Sequence, residues 1–169
     1  MYVTAKLEFL NGTIVCLQIS LTVYNCVDDC VYPTRTARFG VALVPGKSPG
    51  TLRIKGRECL LDKTVIQPGC GCQPCREGIT KARLHGLLKA NNPIAVELVT
   101  QHNIAYMMSL VRSMRQAILE DRFPAYVEAF VRDQYPGKHK GGEDCPQWVV
   151  DALSAAGISI AWKTKDTSN

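Results

Sequence analysis

The chain has 169 residues and a net charge of +5, from 20 basic and 15 acidic side chains. It is long enough for one domain with its own core, and its ordinary apolar and charged fractions exclude a low-complexity polymer. The charge is mild: it permits an anionic partner such as nucleic acid without demanding one.

Residues 1–24 alternate loosely and are rich in Leu, Ile, Val and Thr around Asn11-Gly12, which predicts a β-hairpin with a tight turn. Thr13 to Val23 is apolar but too short to span a bilayer, and no small-residue cleavage site follows it, so no leader is expected. Residues 27–40 read as loop or strand end, because Pro33 removes a donor and Gly40 frees the backbone. Pro45-Gly46 and Pro49-Gly50 mark turns before a short strand, Thr51 to Lys55, and Cys59 to Ile66 is a candidate second strand. Cys70 to Cys75 is a tight loop.

From residue 79 the period becomes helical. One helix is expected over Ile79 to Ala90. Asn92-Pro93, a cap followed by Pro at the first position, starts another that runs to about Arg122. Its apolar stripe reads Ile94, Leu98, Ala105, Leu110, Met114, Ile118. A third helix starts at Phe123-Pro124 and stops before Tyr135-Pro136-Gly137; a last one, Pro146 to Ala156, is closed by Gly157. The order is β-rich first and α-rich second, with no strand–helix alternation complete enough to close a barrel from this chain alone.

Eight cysteines suit either a disulfide framework or metal ligands. With no leader expected, the cytosol is the expected compartment, where clustered thiols favour metal. "CGCQPC" spaces Cys70, Cys72 and Cys75 so that one loop wraps three sulfurs around a tetrahedral ion. The fourth ligand must come from elsewhere: His85, His102, His139 or a remaining Cys. His102 lies mid-helix on a mostly apolar face, a rigid platform for such a ligand. A closed four-ligand site is structural, because it leaves no open position for water.

"VDDCVYPTRTARFG" holds the second cluster. Asp28 and Asp29 read alone are a turn or cap pair, and Arg35 and Arg38 read alone are solvated charges. Together they suggest more: a carboxylate can attack an electrophilic carbon while two arginines fork onto phosphates or base edges.

"DCVYPTRTARFG", then "CGCQPC", then "VTQHNIAYMMSLVRSMRQAI" resembles, in that order, the C-terminal part of the tRNA-guanine transglycosylase (queuine tRNA-ribosyltransferase) family, in its eukaryotic catalytic-subunit type. The resemblance implies an α/β fold: the C-terminal part of a (β/α)8 TIM barrel with a zinc-binding subdomain followed by helices, the barrel being incomplete in this chain. It implies replacement of wobble guanine by queuine in tRNAs with a G-U-N anticodon, through a covalent Asp–ribose intermediate. Asp29 matches the nucleophile, and Arg35 and Arg38 match the residues that grip the anticodon. Cys70, Cys72, Cys75 and His102 match the ligands of a structural Zn2+; His85 does not.

The implied partners are tRNA, the queuine or guanine base, and a second subunit in a homodimer or in a heterodimer with the non-catalytic paralogue. DNA is not among them. Cytoplasmic location, with peripheral attachment at the mitochondrial outer membrane, is implied likewise. Residues 1–24 are expected to be a non-family segment, 25–160 the transglycosylase region with its zinc subdomain at about 57–120, and 161–169 a polar tail. The family's base-binding elements do not fit in the first 24 residues, so the chain alone is expected to be inactive. The competing reading is a non-catalytic zinc-stabilised tRNA-binding or dimerisation module, or an inactive truncated isoform.

Overall fold

A computed structural model describes residues 6–7, 17–18, 31–46, 50–137, 144–155 and 157–158. Strands β1 (Lys6–Leu7) and β2 (Leu17–Gln18) pair antiparallel, Lys6 opposite Gln18 and Leu7 opposite Leu17. The expected hairpin is present as this strand pair; its connection, with Asn11-Gly12, lies outside the described residues.

The stretch expected to be loop or strand end is instead helix α1, Val31–Arg38. Pro33 is its third residue. A proline in the first turn costs nothing there, because that N–H has no intrahelical partner anyway. Gly40 closes α1 with φ +71, and its N–H donates to the Ala37 carbonyl at 2.9 Å. Its carbonyl accepts from Ile54 N–H at 2.9 Å, and a Cβ at this position would meet Leu88 Cδ1 at 3.1 Å. Gly40→Ala therefore combines a left-handed backbone with crowding. We expect it to lower unfolding stability by about 1–2 kcal/mol, read as a reduced urea midpoint at unchanged m-value.

Strands β3 (Val41–Leu43) and β4 (Thr51–Arg53) form an antiparallel pair with Ala42 opposite Leu52. The turn signals between them and β4 were legible; β3 was not. The strand expected over Cys59 to Ile66 is absent. A 3-10 turn, Arg57–Cys59, leads into bends, and only Val65 bridges, to Thr80. Asp62 explains this: its carboxylate accepts from Thr64 N–H at 2.8 Å and Thr64 Oγ1 at 2.6 Å, a local turn that competes with strand pairing.

Helices α2 (Gln73–Arg76), α3 (Lys81–Lys89), α4 (Pro93–Leu119), α5 (Phe123–Gln134) and α6 (Gln147–Ala155) follow. Thr80 caps α3 by accepting from Arg83 N–H. Asn92 Oδ1 accepts from Ile94 N–H at 3.0 Å, the cap expected at Asn92-Pro93. Gly157 (φ +77) ends α6 as expected, with Ile158 N–H donating to Leu153 O. The burial face of α4 differs from the expected stripe. Ala95, Val99, His102, Asn103, Met107, Val111, Met114 and Ala117 are buried, while Ile94 is 55% exposed. The face is turned by about one residue, because His102 and Asn103 are drawn inward together with Ala95, Val99, Met107 and Val111.

The chain divides into two compact units. The first, described by residues 31–45 and 50–112, packs Ile54, Leu84, Leu88, Ala95 and Val99 around the cysteine loop. Each fully buried aliphatic side chain contributes roughly 1.5–3 kcal/mol. The second includes α5 and α6, whose Val127, Val131, Val149 and Leu153 pack with Cys145 and Ile158. Among the described residues the strand pairs are antiparallel, and none of them forms a parallel barrel wall. No described helix is long and apolar enough to cross a membrane.

Asp62 also joins the bend to α3 through Lys81 Nζ at 2.9 Å. The Thr64 hydroxyl, then Lys81, then the Thr64 N–H hold its carboxyl well below the ordinary value of 3.8. A depressed carboxylate stabilises the fold above its unfolded pKa, and that contribution is lost as pH falls through the folded value. Urea midpoints of the parent and Asp62→Asn should thus converge as pH falls from about 5 towards 2. A constant gap over that range would show that Asp62 contributes through packing alone.

Candidate metal centre and arginine helix

The Cys70–Cys75 loop is shaped by its small and rigid residues. Gly69 takes φ +77, and Pro74 lies in the first turn of α2, whose N-cap is Cys72. Cys72 and Cys75 are buried and Cys70 is half-buried. Opposite them, in the first half of α4, His102 is fully buried. Its Nδ1 lies 3.8 Å from Cys70 Sγ and 3.5 Å from both Cys72 Sγ and Cys75 Sγ. All four ligand atoms lie within 4.8 Å of one another.

These distances test the fit of a metal. With Zn–S near 2.3 Å and Zn–N near 2.05 Å, a tetrahedron has an S···N edge of about 3.6 Å. The observed separations match that edge. Protonation agrees. His102 Nε2 lies 2.8 Å from the Leu43 carbonyl, which can only accept, so the ring proton sits on Nε2 and the Nδ1 lone pair faces the sulfurs. Burial lowers the His102 pKa, opposed in part by the Leu43 bond, and so favours the neutral, ligating imidazole. Burial, opposed by the Cys75 backbone N–H and aided by the neighbouring Cys70 and Cys75 sulfurs, pushes the Cys72 thiol up to about 12. Without a cation Cys72 resists becoming thiolate; a divalent ion reverses that preference. The residues present fit zinc, and Cys70, Cys72, Cys75 and His102 form the candidate centre.

Among the described residues the other candidates for the fourth ligand are elsewhere. His85 is buried in the core, with Nδ1–H donating to the Ile54 carbonyl at 2.9 Å. Cys59 Sγ contacts the Arg53 carbonyl, and Cys145 belongs to the second unit. Cys16, Cys26, Cys30 and His139 lie outside the described residues.

Arg35 and Arg38 are exposed and one turn apart on α1, whose buried side carries Pro33 and Ala37. Asp28 and Asp29 lie outside the described residues, Asp29 being two positions ahead of Val31 in sequence. Sequence reasoning missed Asn103, which is fully buried beside His102. An Asn in the middle of a helix is unfavourable unless its side chain is satisfied, and that was the available signal.

Comparison with known proteins bears on these residues. The profile of the family described as queuine tRNA-ribosyltransferase matches residues 4–136, a span that takes in most of residues 1–24 and all four candidate ligands. The queuine tRNA-ribosyltransferase catalytic subunit of Schizosaccharomyces pombe is 32% identical over 158 residues, covering 90% of this chain and 36% of that protein. The queuine tRNA-ribosyltransferase of Thermus thermophilus is 36% identical over 129 residues, or 76% of this chain and 31% of the relative. The catalytic subunit of Caenorhabditis elegans is 33% identical over 141 residues, or 78% and 34%. The chain spans about a third of the length of these curated relatives.

Proposed function

The chain belongs to the queuine tRNA-ribosyltransferase family, and from that premise we propose that it serves the exchange of wobble guanine for queuine in tRNAs with a G-U-N anticodon. The family has a TIM-barrel fold and its members are transferases, so the chain is read as a C-terminal part of such an enzyme with its zinc subdomain. The observation that carries this reading is the Cys3His cluster with tetrahedral edge lengths, inside the span that matches the family.

In the proposed reaction the Asp29 carboxylate attacks the anomeric carbon of the target ribose. The glycosidic C–N bond breaks, guanine departs with its electron pair and takes up a proton, and an ester links ribose to Asp29. The incoming queuine nitrogen then displaces the carboxylate and loses its proton. Electrons and charge balance without a redox partner. The target base must leave its stack first, a cost that arginine contacts to the anticodon backbone offset. Exposure of Arg35 and Arg38 on one turn of α1 supports that role. The zinc, when bound, supplies folding energy and holds the cysteine loop to α4. The relatives named as catalytic subunits support a second subunit as a partner, either the same chain or a non-catalytic paralogue.

The test is binding of a G-U-N tRNA across a salt series. The parent should bind with a steep negative log–log slope, and Arg35→Ala/Arg38→Ala should weaken binding and reduce that slope by about 1.5–2. An unchanged slope would show these to be surface charges. Incorporation of labelled queuine separates the enzyme from a docking module that binds tRNA without exchange.

A further inference from the structure

Asn103 uses its whole side chain. Oδ1 accepts from Leu43 N–H at 2.9 Å. Nδ2 faces the Pro33 carbonyl at 3.1 Å, Thr36 Oγ1 at 3.2 Å and the Val41 carbonyl at 3.0 Å, so two protons serve three acceptors. Thr36 Oγ1 in turn donates back into α1, to the Tyr32 or Pro33 carbonyl, which leaves its lone pairs to Asn103. The neighbouring residue completes the grip: His102 Nε2–H holds the Leu43 carbonyl while Asn103 holds the Leu43 N–H. One dipeptide of α4 thus ties β3 by both of Leu43's backbone groups. Of the two, Asn103 reaches on to α1.

The consequence is geometric. The clasp takes Pro33 and Thr36, which lie one turn apart, and so sets the rotation of α1 about its axis. Arg35 and Arg38, also one turn apart, are then held on the outward side. The same dipeptide carries a metal ligand, so whatever fixes His102 also fixes the anchor of the arginine helix.

We propose that Asn103 is a positioning residue that couples the metal centre to the RNA-facing side of α1, orienting Arg35 and Arg38 without touching RNA itself. This rests on the reading that α1 meets tRNA. Asn103→Asp is the informative change: it is nearly isosteric and keeps the acceptor for Leu43 N–H. It replaces the donor to Pro33, Thr36 and Val41 with an oxygen that faces three acceptors. Thr36→Val removes a single acceptor and serves as the milder variant should Asn103→Asp fold poorly.

Three quantities are read on zinc-loaded protein: zinc per chain, hydrogen exchange of the α1 and β3 amides, and tRNA affinity across the salt series. In Asn103→Asp, zinc content should stay at the parent level and the α1 amides should exchange at least about tenfold faster. Affinity for tRNA should fall about tenfold and the salt slope should shrink by less than in Arg35→Ala/Arg38→Ala, because the arginines are present but misoriented. Thr36→Val should move exchange and affinity the same way by less. A purely structural role would instead lower zinc content and speed exchange throughout the unit. Unchanged α1 exchange in both variants would overturn the proposal. So would unchanged tRNA affinity in Asn103→Asp alongside weakened binding in Arg35→Ala/Arg38→Ala. If the double arginine variant binds as the parent does, the reading of α1 as an RNA face fails and takes the proposal with it, a result recognisable from that variant alone.

Discussion

His102→Ala is expected to lose bound zinc and, with it, the folded state of the unit built around the cysteine loop. The parent should carry about one zinc per chain by elemental analysis. The size of the loss follows from what the metal does. Structural zinc in small modules contributes roughly 10–16 kcal/mol of apparent binding free energy, more than the whole stability of a typical domain. Removing the imidazole leaves three thiols, of which Cys72 resists ionisation in its buried setting. It also leaves the Leu43 carbonyl without its partner at 2.8 Å. Far-ultraviolet circular dichroism and a chelator titration should both show the collapse. His85→Ala is the matched control. It removes a buried bond to the Ile54 carbonyl and should cost about 1–3 kcal/mol of stability with zinc retained. Retention of zinc in His102→Ala with loss in His85→Ala would assign the fourth ligand to the wrong histidine.

Asp29→Asn is expected to abolish the covalent RNA adduct and to cut base exchange by at least about 10⁴-fold, the scale on which enzymes lose rate when their nucleophile is removed. An amide cannot form the ribosyl ester, and the electron pair that would displace guanine is gone. A nucleophile alone is not an active site, since rate also depends on holding base, ribose carbon and carboxylate together. The assay therefore uses this chain joined to the part of the Schizosaccharomyces pombe relative that it does not cover, the chain matching 36% of that protein. Labelled queuine incorporation reports exchange, and a denaturing gel reports the adduct. Asp28→Asn should retain both. An adduct that persists in Asp29→Asn would remove that residue from its role.

The helices from residue 79 onward were legible because their signals are local. Asn92-Pro93 caps α4, Phe123-Pro124 opens α5 and Gly157 closes α6, each through backbone chemistry within a few residues of itself. The metal loop was legible for the same reason. Three thiols within six residues converge whatever the rest of the chain does, and "CGCQPC" followed by the His102 helix also carries the family resemblance.

Other features depended on partners far along the chain. α1 looked like a loop because Pro33 was read as a breaker, although a first-turn proline breaks nothing. Asn103, 70 residues away from Pro33, anchors that helix. Which face of α4 turns inward was decided by His102 and Asn103 reaching the cysteines, Leu43 and α1. The strand expected at Cys59 to Ile66 gave way to an Asp62 turn locked by Lys81, 19 residues on. The sequence by itself determined the three-thiol loop and the helix ends from residue 79 onward, because these rest on short-range geometry and residue chemistry; His102 as the fourth ligand came from the family resemblance. Only the tertiary structure decided the rotation of α4, the tautomer of His102 and the anchoring of the arginine helix. Each of those depends on where a distant carbonyl or N–H is brought, and a hydrogen bond has no direction until both of its ends have a place.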